Sequence, residues 1–359
     1  MRVSRQIALT KRPIVLFGVL VVFIFFFLEM QIGQLKSENK ELRDSVDNLP
    51  NENHIRSLLS PLHAMRVTDQ SNEPLVVYNR VPKTGSTSFT HQVYALTKEN
   101  QIYVLHVNIS ANSLKMALPD QYKMVQNMTS WKERKPAFYH GHFAYVDFEQ
   151  FGAREPIYIN ILREPLDRLI SHYYFMRYGD NLRKGLKRKR QGDTTTFDEC
   201  VAQKGHSCDP RELWLQVPLL CGQLAECWKV GSQWALERAK QNLLTRYTLV
   251  GLTEKMEEFI VVLEAILPNM FKGISSKYRT GKDSHVRNTS HKEMPSEETI
   301  ATMKSTKVYR MEKELYDFAA KQFEFILKTS TVLENGILQP KTNLFHYEKI
   351  YGPKGLIKS

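Results

Sequence analysis

The chain has 359 residues and a formal net charge of +12, with 50 lysines and arginines against 38 acidic residues. About 285 residues follow position 73, a length that suits one large domain or two small ones and excludes a chain too short to bury a core. The excess of positive charge predicts affinity for a polyanionic partner.

The N-terminal segment has the pattern of a membrane anchor. Residues 1–12 contain four basic residues and no acidic residue, and Pro13–Leu28 contains no charged side chain. A helix of that length spans about 24 Å, close to the thickness of early secretory membranes. The basic flank predicts a cytoplasmic tail at 1–12, a transmembrane signal-anchor at 13–30 and a lumenal remainder. A cleaved signal peptide is the alternative, but no small-residue cleavage site follows.

Residues 31–73 are predicted to form a stem. Its apolar positions alternate spacings of three and four around one asparagine, at Ile32, Leu35, Asn39, Leu42, Val46 and Leu49. A short coiled coil that joins the lumenal domains is one interpretation of this pattern, and a solvated stalk is the other. Residues 50–72 are polar and aperiodic and favour a linker. The catalytic part is therefore expected at 74–359.

The segment Leu75–Phe89 predicts a strand, a short turn and a helix. Backbone N–H groups at the start of a helix favour a bound phosphate or sulfate, and Lys83 adds a mobile positive charge in the turn. A nucleoside-triphosphatase loop is excluded because no GxxxxGKS or GxxxxGKT pattern is present. An ordinary turn with a surface lysine is the alternative.

Two histidines, His140 and His142, flank Gly141 in the next informative segment. In an extended chain, residues two apart face the same side, and an imidazole suits a general base near neutral pH. Hydrogen-bonded core histidines, or a metal pair without its third ligand, are the alternatives.

A second strand is predicted at Ile157–Leu162, and it ends at Arg163. Pro165 fits the first position of a following helix, and Ser171 lies two turns into that helix. Ligands collect at the carboxyl ends of parallel strands, so Arg163 and Ser171 form a candidate clamp for a second phosphate. A structural ion pair of Arg163 is the alternative.

A basic run precedes Gly192 and contains Arg183, Lys184, Lys187, Arg188, Lys189 and Arg190. Such a run predicts salt-sensitive affinity for a polyanion. A solvated loop is the alternative, and the predicted lumenal location excludes a nuclear import signal.

The four cysteines of the chain fall within 28 residues. In a lumenal domain they predict two local disulfides, most simply Cys200–Cys208 and Cys221–Cys227. Zinc is the alternative, although the spacings lack a CxxC knuckle. Three glycosylation acceptor tripeptides are present, at Asn108, Asn127 and Asn288.

The C-terminal third predicts helices. Apolar residues between Ile300 and Phe318 lie near helical spacing, and the last helix is expected to end near Leu327. An aromatic tail follows at 345–351, which either packs on its own domain or contacts another chain.

The two anion sites and the histidine pair together resemble the Golgi carbohydrate sulfotransferases. The segments that carry the resemblance are YNRVPKTGSTSF, FYHGHFAYVDF, YINILREPLDRLISHYYF, QGDTTTFDECVA and FHYEKIY. The likeness covers essentially the whole chain. The His-Gly-His segment and the cysteine placement resemble the branch that sulfates the 2-hydroxyl of uronic acids, and the chain-wide match favours its members that act on heparan sulfate.

This resemblance implies an α/β fold with a central parallel sheet flanked by helices and a P-loop-like strand–loop–helix, behind a membrane anchor and stem. It implies 3′-phosphoadenosine 5′-phosphosulfate (PAPS) as sulfuryl donor, without a metal. It also implies a single-pass type II protein of the Golgi membrane, a homotrimer, and heparan sulfate rather than nucleic acid as partner.

The resemblance also implies roles for individual residues. The donor would be bound by Arg80, Lys83, Thr84, Gly85, Ser86, Thr87, Ser88, Arg163 and Ser171. Lys83 would contact the oxygen between phosphate and sulfate, His142 would deprotonate the acceptor hydroxyl, and His140 would orient the sugar or the base. The acceptor cleft would contain Arg80, Tyr94, His106, Arg183, Arg188 and Arg287.

Three other functions share parts of this pattern. A dermatan or chondroitin uronyl 2-O-sulfotransferase would use the same donor motifs. A non-catalytic heparan-binding Golgi protein would require neither the histidine base nor Lys83. A nucleotide kinase shares the strand–loop–helix but requires the missing glycine-lysine pattern. The sulfotransferase interpretation requires that the Lys83 turn and Arg163 lie close enough for one adenosine compound to bridge them.

Overall fold

The computed structural model describes residues 29, 74–110, 113–181, 185–280, 289 and 291–341. Apart from Glu29, the predicted tail, anchor and stem lie outside the described residues. The aromatic C-terminal tail and the predicted sites Arg183, Arg287 and Asn288 also lie outside them. Among the residues that are described, no helix is both long and apolar enough to cross a membrane.

A five-stranded parallel sheet forms the centre of the domain. In chain order the strands are β1 (Leu75–Asn79), β2 (Tyr103–Val107), β3 (Ala137–Gly141), β4 (Ile157–Leu162) and β5 (Tyr247–Leu252). In space they lie in the order β2-β3-β1-β4-β5. The chain runs from β1 to one edge, returns as β3, and then passes to β4 on the other side of β1. In sheets of this kind, ligands bind outside the carboxyl ends of the strands near such a reversal.

Helices and one hairpin complete the described domain. The helices are α1 (Ser86–Ala95), α2 (Leu118–Ser130), α3 (Pro165–Tyr178), α4 (Phe197–Ala202), α5 (Gln216–Cys221), α6 (Gln233–Thr245), α7 (Met256–Ile266), α8 (Pro268–Phe271), α9 (Ile274–Thr280), α10 (Glu297–Lys304) and α11 (Lys307–Ser330). The hairpin pairs β6 (Thr331–Glu334) with β7 (Ile337–Pro340). The predicted α/β class with a central parallel sheet is therefore confirmed.

Aromatic side chains fill both faces of the sheet. Because Val76 pairs with both Phe138 and Ile157, Phe138 and the next residue along β4, Tyr158, point to opposite faces. On the first face, Phe89 of α1 packs against Phe138 at 6.2 Å between ring centroids. On the second face, Tyr158 packs against Tyr247 of β5 at 5.5 Å. Both aromatic layers are buried, so helices can cover the sheet on each side.

A polar network ties the middle strands together inside this core. The Asn160 side-chain amide donates to the Asn79 carbonyl at 2.8 Å and to the Asn79 side-chain oxygen at 3.0 Å. The Tyr247 hydroxyl donates to the same side-chain oxygen at 3.0 Å. Asn79 and Asn160 are fully buried, so these bonds satisfy groups that water cannot reach. The network fixes the carboxyl end of β1, where the turn with Lys83 begins.

The predicted local features agree with the structure. Both expected disulfides, Cys200–Cys208 and Cys221–Cys227, are formed. Helix α3 begins at Pro165, and the Glu164 carboxylate caps it by accepting from the Asp167 N–H at 2.8 Å. The last helix ends at Ser330, three residues after the expected position.

A carboxylate from α11 holds the start of α5, which the sequence did not predict. Glu312 is fully buried and accepts three backbone N–H bonds at 2.8–3.2 Å from the residues that open α5. Burial raises the pKa of Glu312 to about 7, and the nearby Arg168 guanidinium and the three N–H donors oppose that rise. Gln216 of α5 in turn hydrogen-bonds the backbone of Arg163, at the carboxyl end of β4. Glu312 is thus linked through α5 to that end of the sheet.

Replacing Glu312 should therefore destabilise the whole domain. We expect Glu312→Ala to lower the free energy of unfolding by about 3–5 kcal/mol, because it leaves three buried N–H groups without their acceptor and removes a negative charge near the buried Arg168 guanidinium. Glu314→Ala on the same helix is the matched control. Glu314 is half-exposed and pairs with Lys240 at the surface, so its loss should cost about 0.5 kcal/mol or less. Equal losses in urea unfolding of the two variants would contradict the assignment.

Candidate active site

The turn between β1 and α1 presents the N-terminus of a helix to the crevice. Gly85 is the N-cap of α1 with a φ of 72°, and Lys83 has a φ of 69°. Both angles lie in the left-handed region, where glycine is favoured. The first turn of α1 contains no acidic residue, and its N-cap makes no side-chain bond to the helix. The N–H groups and the dipole of this helix end therefore suit an anion.

Hydroxyl side chains hold this turn in shape. Thr84 is fully buried, and its hydroxyl donates to the Val81 carbonyl at 3.0 Å. Ser86 and Thr87 accept from the Arg80 guanidinium at 3.3 and 3.5 Å. Ser88, in the first turn of α1, is buried. The side chains of Thr84, Ser86 and Thr87 thus stabilise the turn. An anion would be bound mainly by the backbone N–H groups of this segment.

Arg163 lies directly beside the lysine turn. Its guanidinium donates to the Lys83 carbonyl at 3.3 Å, although the two residues are 80 positions apart. Its backbone is held on both sides by Gln216, whose amide accepts from the Arg163 N–H at 3.0 Å and donates to its carbonyl at 2.9 Å. Ser171 is buried two turns along α3. The two predicted anion sites therefore belong to one crevice.

Lys292, which lies within the electrostatic field of Arg163, was missed by the sequence reasoning. Lys292 is solvent-exposed, but partial desolvation and the positive charge of Arg163 lower the pKa of its ammonium. Lys292 therefore adds positive potential next to Arg163. A lone lysine in a polar segment carries no sequence signal of this role.

His140 is a buried and neutral imidazole. The Arg80 guanidinium donates to its Nδ1 at 3.2 Å, so its Nε2 carries the proton and donates to the Tyr94 hydroxyl at 2.9 Å. Burial, and then the positive charge of Arg80, lower the pKa of His140 to about 3. The His106 ring stacks on it at 4.9 Å between ring centroids. This environment suits a positioning group rather than a base.

His142 has the tautomer that a general base requires. Its Nδ1 lies 2.9 Å from the Arg80 carbonyl, which can only accept, so Nδ1 carries the proton. In the neutral ring, Nε2 is then the nitrogen that can accept a proton. Gly141 separates the two histidines because a Cβ there would lie 2.3 Å from the Val107 carbonyl of β2. The strand pairing thus requires glycine between the two imidazoles.

Of the predicted acceptor residues that are described, Arg80, Tyr94 and His106 contact the histidines, whereas Arg188 contacts other residues. Tyr94 and His106 contact His140 from α1 and from the edge strand β2, and both side chains are exposed to solvent. Arg188 belongs to the basic run that precedes Gly192. Its guanidinium pairs with the Asp180 carboxylate at 3.0 Å and lies 4.3 Å from the centroid of the Phe175 ring. Arg188 is therefore anchored, whereas its neighbour Arg190 is more exposed and lies 3.8 Å from Asp193.

Two other predictions can be placed on the surface. Asn108 and Asn127, the acceptor asparagines of two glycosylation tripeptides, are exposed. In the part of the chain that the structure describes, no group of three or more histidine, cysteine or acidic side chains is arranged to hold a metal ion.

Sulfotransferases of several animals are similar to this chain over most of its length. Heparan sulfate 2-O-sulfotransferase 1 of Gallus gallus is 47% identical over 340 residues, which cover 94% of each chain. The Homo sapiens protein of that name is 46% identical over 332 residues, 90% of this chain and 92% of the relative. A heparin sulfate O-sulfotransferase of Drosophila melanogaster is 51% identical over 298 residues, 82% and 84% of the two chains.

A profile of the Sulfotransferase family matches residues 66–319 of this sequence. The match includes the lysine turn, both histidines, Arg163, Ser171 and Arg188, and it spans well over half of the chain. The chain belongs to the sulfotransferase family.

Proposed function

We propose that the protein transfers a sulfuryl group from PAPS to the 2-hydroxyl of iduronic acid in heparan sulfate, and to a lesser extent to that of glucuronic acid. The observation that carries the proposal is the contact of Arg163 with the Lys83 carbonyl. It brings two cationic residues together at the carboxyl ends of β1 and β4, and the neighbouring turn residue Arg80 bonds the Nδ1 of the His142 imidazole. The relatives named above act on heparan or heparin sulfate by their names.

The two anionic ends of such a donor would lie at the two groups of residues described above. The backbone of the turn at 83–88 and the start of α1 would bind the 5′-phosphosulfate, with Lys83 against the bridging oxygen. Arg163 and Ser171, with Lys292, would bind the 3′-phosphate. When bound, PAPS supplies the sulfuryl group and a phosphate leaving group.

The protein side of the reaction follows from the two imidazoles. His142 Nε2 would take the proton of the C2 hydroxyl as that oxygen attacks sulfur. The Arg80 carbonyl would stabilise the imidazolium through Nδ1–H. Lys83 would offset the negative charge that develops on the leaving oxygen. His140, neutral and held between Arg80 and Tyr94, would orient the sugar ring.

The acceptor would lie along the exposed side of these histidines. Arg80, Tyr94, His106 and Arg188 would contact its carboxylate and sulfate groups, with Arg183 and Arg287 from the segments that are not described. The net charge of +12 would add salt-sensitive attraction for this polyanion.

The proposal extends to the organisation of the chain. Residues 1–12 would be cytoplasmic, 13–30 would anchor the protein in the Golgi membrane, and 31–73 would form the stem of a lumenal domain at 74–359. The domain would be glycosylated and would assemble as a homotrimer. The basic flank of the apolar run, the two disulfides and the exposed asparagines support this arrangement.

Product mapping tests the proposed function directly. We expect the purified domain, given labelled PAPS and desulfated heparan chains, to produce disaccharides sulfated at the 2-position of iduronic acid. Dermatan and chondroitin chains serve as competing substrates. Faster 2-O-sulfation of those polymers would favour the sister activity, and binding without transfer would favour a non-catalytic heparan-binding protein.

The donor lysine and the base should both be needed for turnover. We expect His142→Ala and Lys83→Ala each to lower kcat by about 10²- to 10⁴-fold, because one removes the base and the other removes charge stabilisation. The melting temperature and the affinity for adenosine 3′,5′-bisphosphate, measured by calorimetry, should stay near those of the wild type. Near-normal sulfation by either purified variant would contradict the assignment.

The pH dependence should separate the two histidines. The pKa of His140 in the folded state is about 3, against 6.5 in an unfolded chain. Its protonation therefore opposes folding, and the stability it contributes is lost as the pH falls from 6.5 towards 3. Between pH 5 and 8 its ring stays neutral, so we expect any acid limb in the pH profile of kcat to report another group.

We expect His140→Asn to lower kcat while the inflection of that acid limb stays in place. Asparagine keeps an acceptor for the Arg80 guanidinium, which limits structural damage. The measurement is a pH–rate profile of the variant beside that of the wild type. Disappearance of the acid limb in His140→Asn would show that His140 itself titrates.

A further inference from the structure

The Phe175 ring on α3 contacts two cations with different proposed roles. The Lys83 ammonium lies 4.1 Å from the ring centroid, and the Arg188 guanidinium carbon lies 4.3 Å from it. Lys83 belongs to the donor turn, whereas Arg188 belongs to the basic segment on the acceptor side. One aromatic side chain therefore contacts both halves of the crevice.

Further contacts connect the same groups. Asp180, which is 3% exposed, accepts from Arg188 at 3.0 Å and forms an isolated backbone bridge with Thr289. The Lys83 ammonium donates to the Thr289 hydroxyl at 3.4 Å. Lys83, Phe175, Asp180, Arg188 and Thr289 thus form a closed set of contacts, here called the Phe175 cluster.

The contacts of the Phe175 cluster offset the repulsion between Lys83 and Arg188. Two positive side chains near one ring repel each other, and the repulsion is larger in a partly desolvated site than in water. The negative face of an aromatic ring attracts both cations, and the Asp180 carboxylate offsets the charge of Arg188. A lysine side chain is otherwise mobile, so the ring limits where the Lys83 ammonium can lie.

We propose that Phe175 is a positioning residue that aligns the Lys83 ammonium and the Arg188 guanidinium together, with Asp180 as the anchor of Arg188. Alignment of the donor lysine and seating of the polyanionic acceptor then depend on the same ring. This inference rests on the proposed function, and it adds two residues, Phe175 and Asp180, that need not touch either substrate.

Kinetics of the leucine variant test the proposal. Phe175→Leu keeps much of the apolar volume but removes the aromatic face. We expect kcat to fall about tenfold and the acceptor KM to rise about five- to tenfold, because both cations lose their shared contact. Phe175→Tyr keeps the face and should restore both constants to within about threefold of the wild type. If Phe175 had only a structural role, Phe175→Leu and Phe175→Tyr would have the same kcat and the same acceptor KM per folded molecule.

Two further variants sharpen the test. Asp180→Asn removes only the charge that anchors Arg188. The acceptor KM should therefore rise and depend less steeply on salt concentration, whereas kcat should change less than in Phe175→Leu. Phe325→Leu is the matched control, a half-buried phenylalanine near the C-terminal end of α11. It should leave both constants unchanged. Wild-type constants in well-folded Phe175→Leu, or equal effects of Phe325→Leu, would overturn the proposal.

A second measurement does not depend on the substrate. In ¹³C-dimethylated protein, the Lys83 resonance should be shifted upfield by the Phe175 ring current, and Phe175→Leu should return it to the position of exposed lysines. A Lys83 resonance that is identical in the two proteins would refute the positioning role. If the wild type shows the shift but sulfates no 2-hydroxyl, the proposed function fails while the positioning of Lys83 by Phe175 stands.

Discussion

Arg80 imposes the constraint on which the rest of the active site depends. Its N–H donates to the Gly141 carbonyl at 2.7 Å, which continues the pairing of β1 with β3 beyond the last strand residue. Its carbonyl accepts from His142, and its guanidinium donates to His140 and to Ser86. One residue thus contacts the turn of the proposed donor site and both imidazoles of the proposed acceptor site, which ties the positions of these parts to one another.

The site combines several basic side chains in fixed positions with one neutral imidazole. The basic side chains Lys83, Arg163 and Arg188 each have a defined contact: Thr289, the Lys83 carbonyl and Asp180, respectively. His140, which lies in the same positive field, is kept neutral by burial and by Arg80. The result is a set of fixed cations around a crevice, an arrangement that stabilises developing negative charge without costly reorganisation.

Much of the fold around the site was predictable because it depends on short stretches of chain. The strand, turn and helix at 75–95 follow from an apolar run, a turn and helical spacing, and the start of α3 follows from Pro165. The meeting of Lys83 with Arg163 was an inference from the rule that parallel strands gather ligands at their carboxyl ends. By contrast, Glu312 and Gln216 carried no local signal, because their partners lie about 100 and 50 positions away.

The sequence by itself determined β1, α1, β4 and the start of α3, the two disulfides and the residues available for chemistry, because each of these depends on neighbours within a few turns of chain. Only the tertiary structure decided what those residues can do. His140 and His142 are chemically identical and two positions apart. One meets a guanidinium in a buried pocket, and the other meets a backbone carbonyl. Those long-range partners, absent from any local pattern, set the proton position on each ring and so distinguish the positioning histidine from the candidate base.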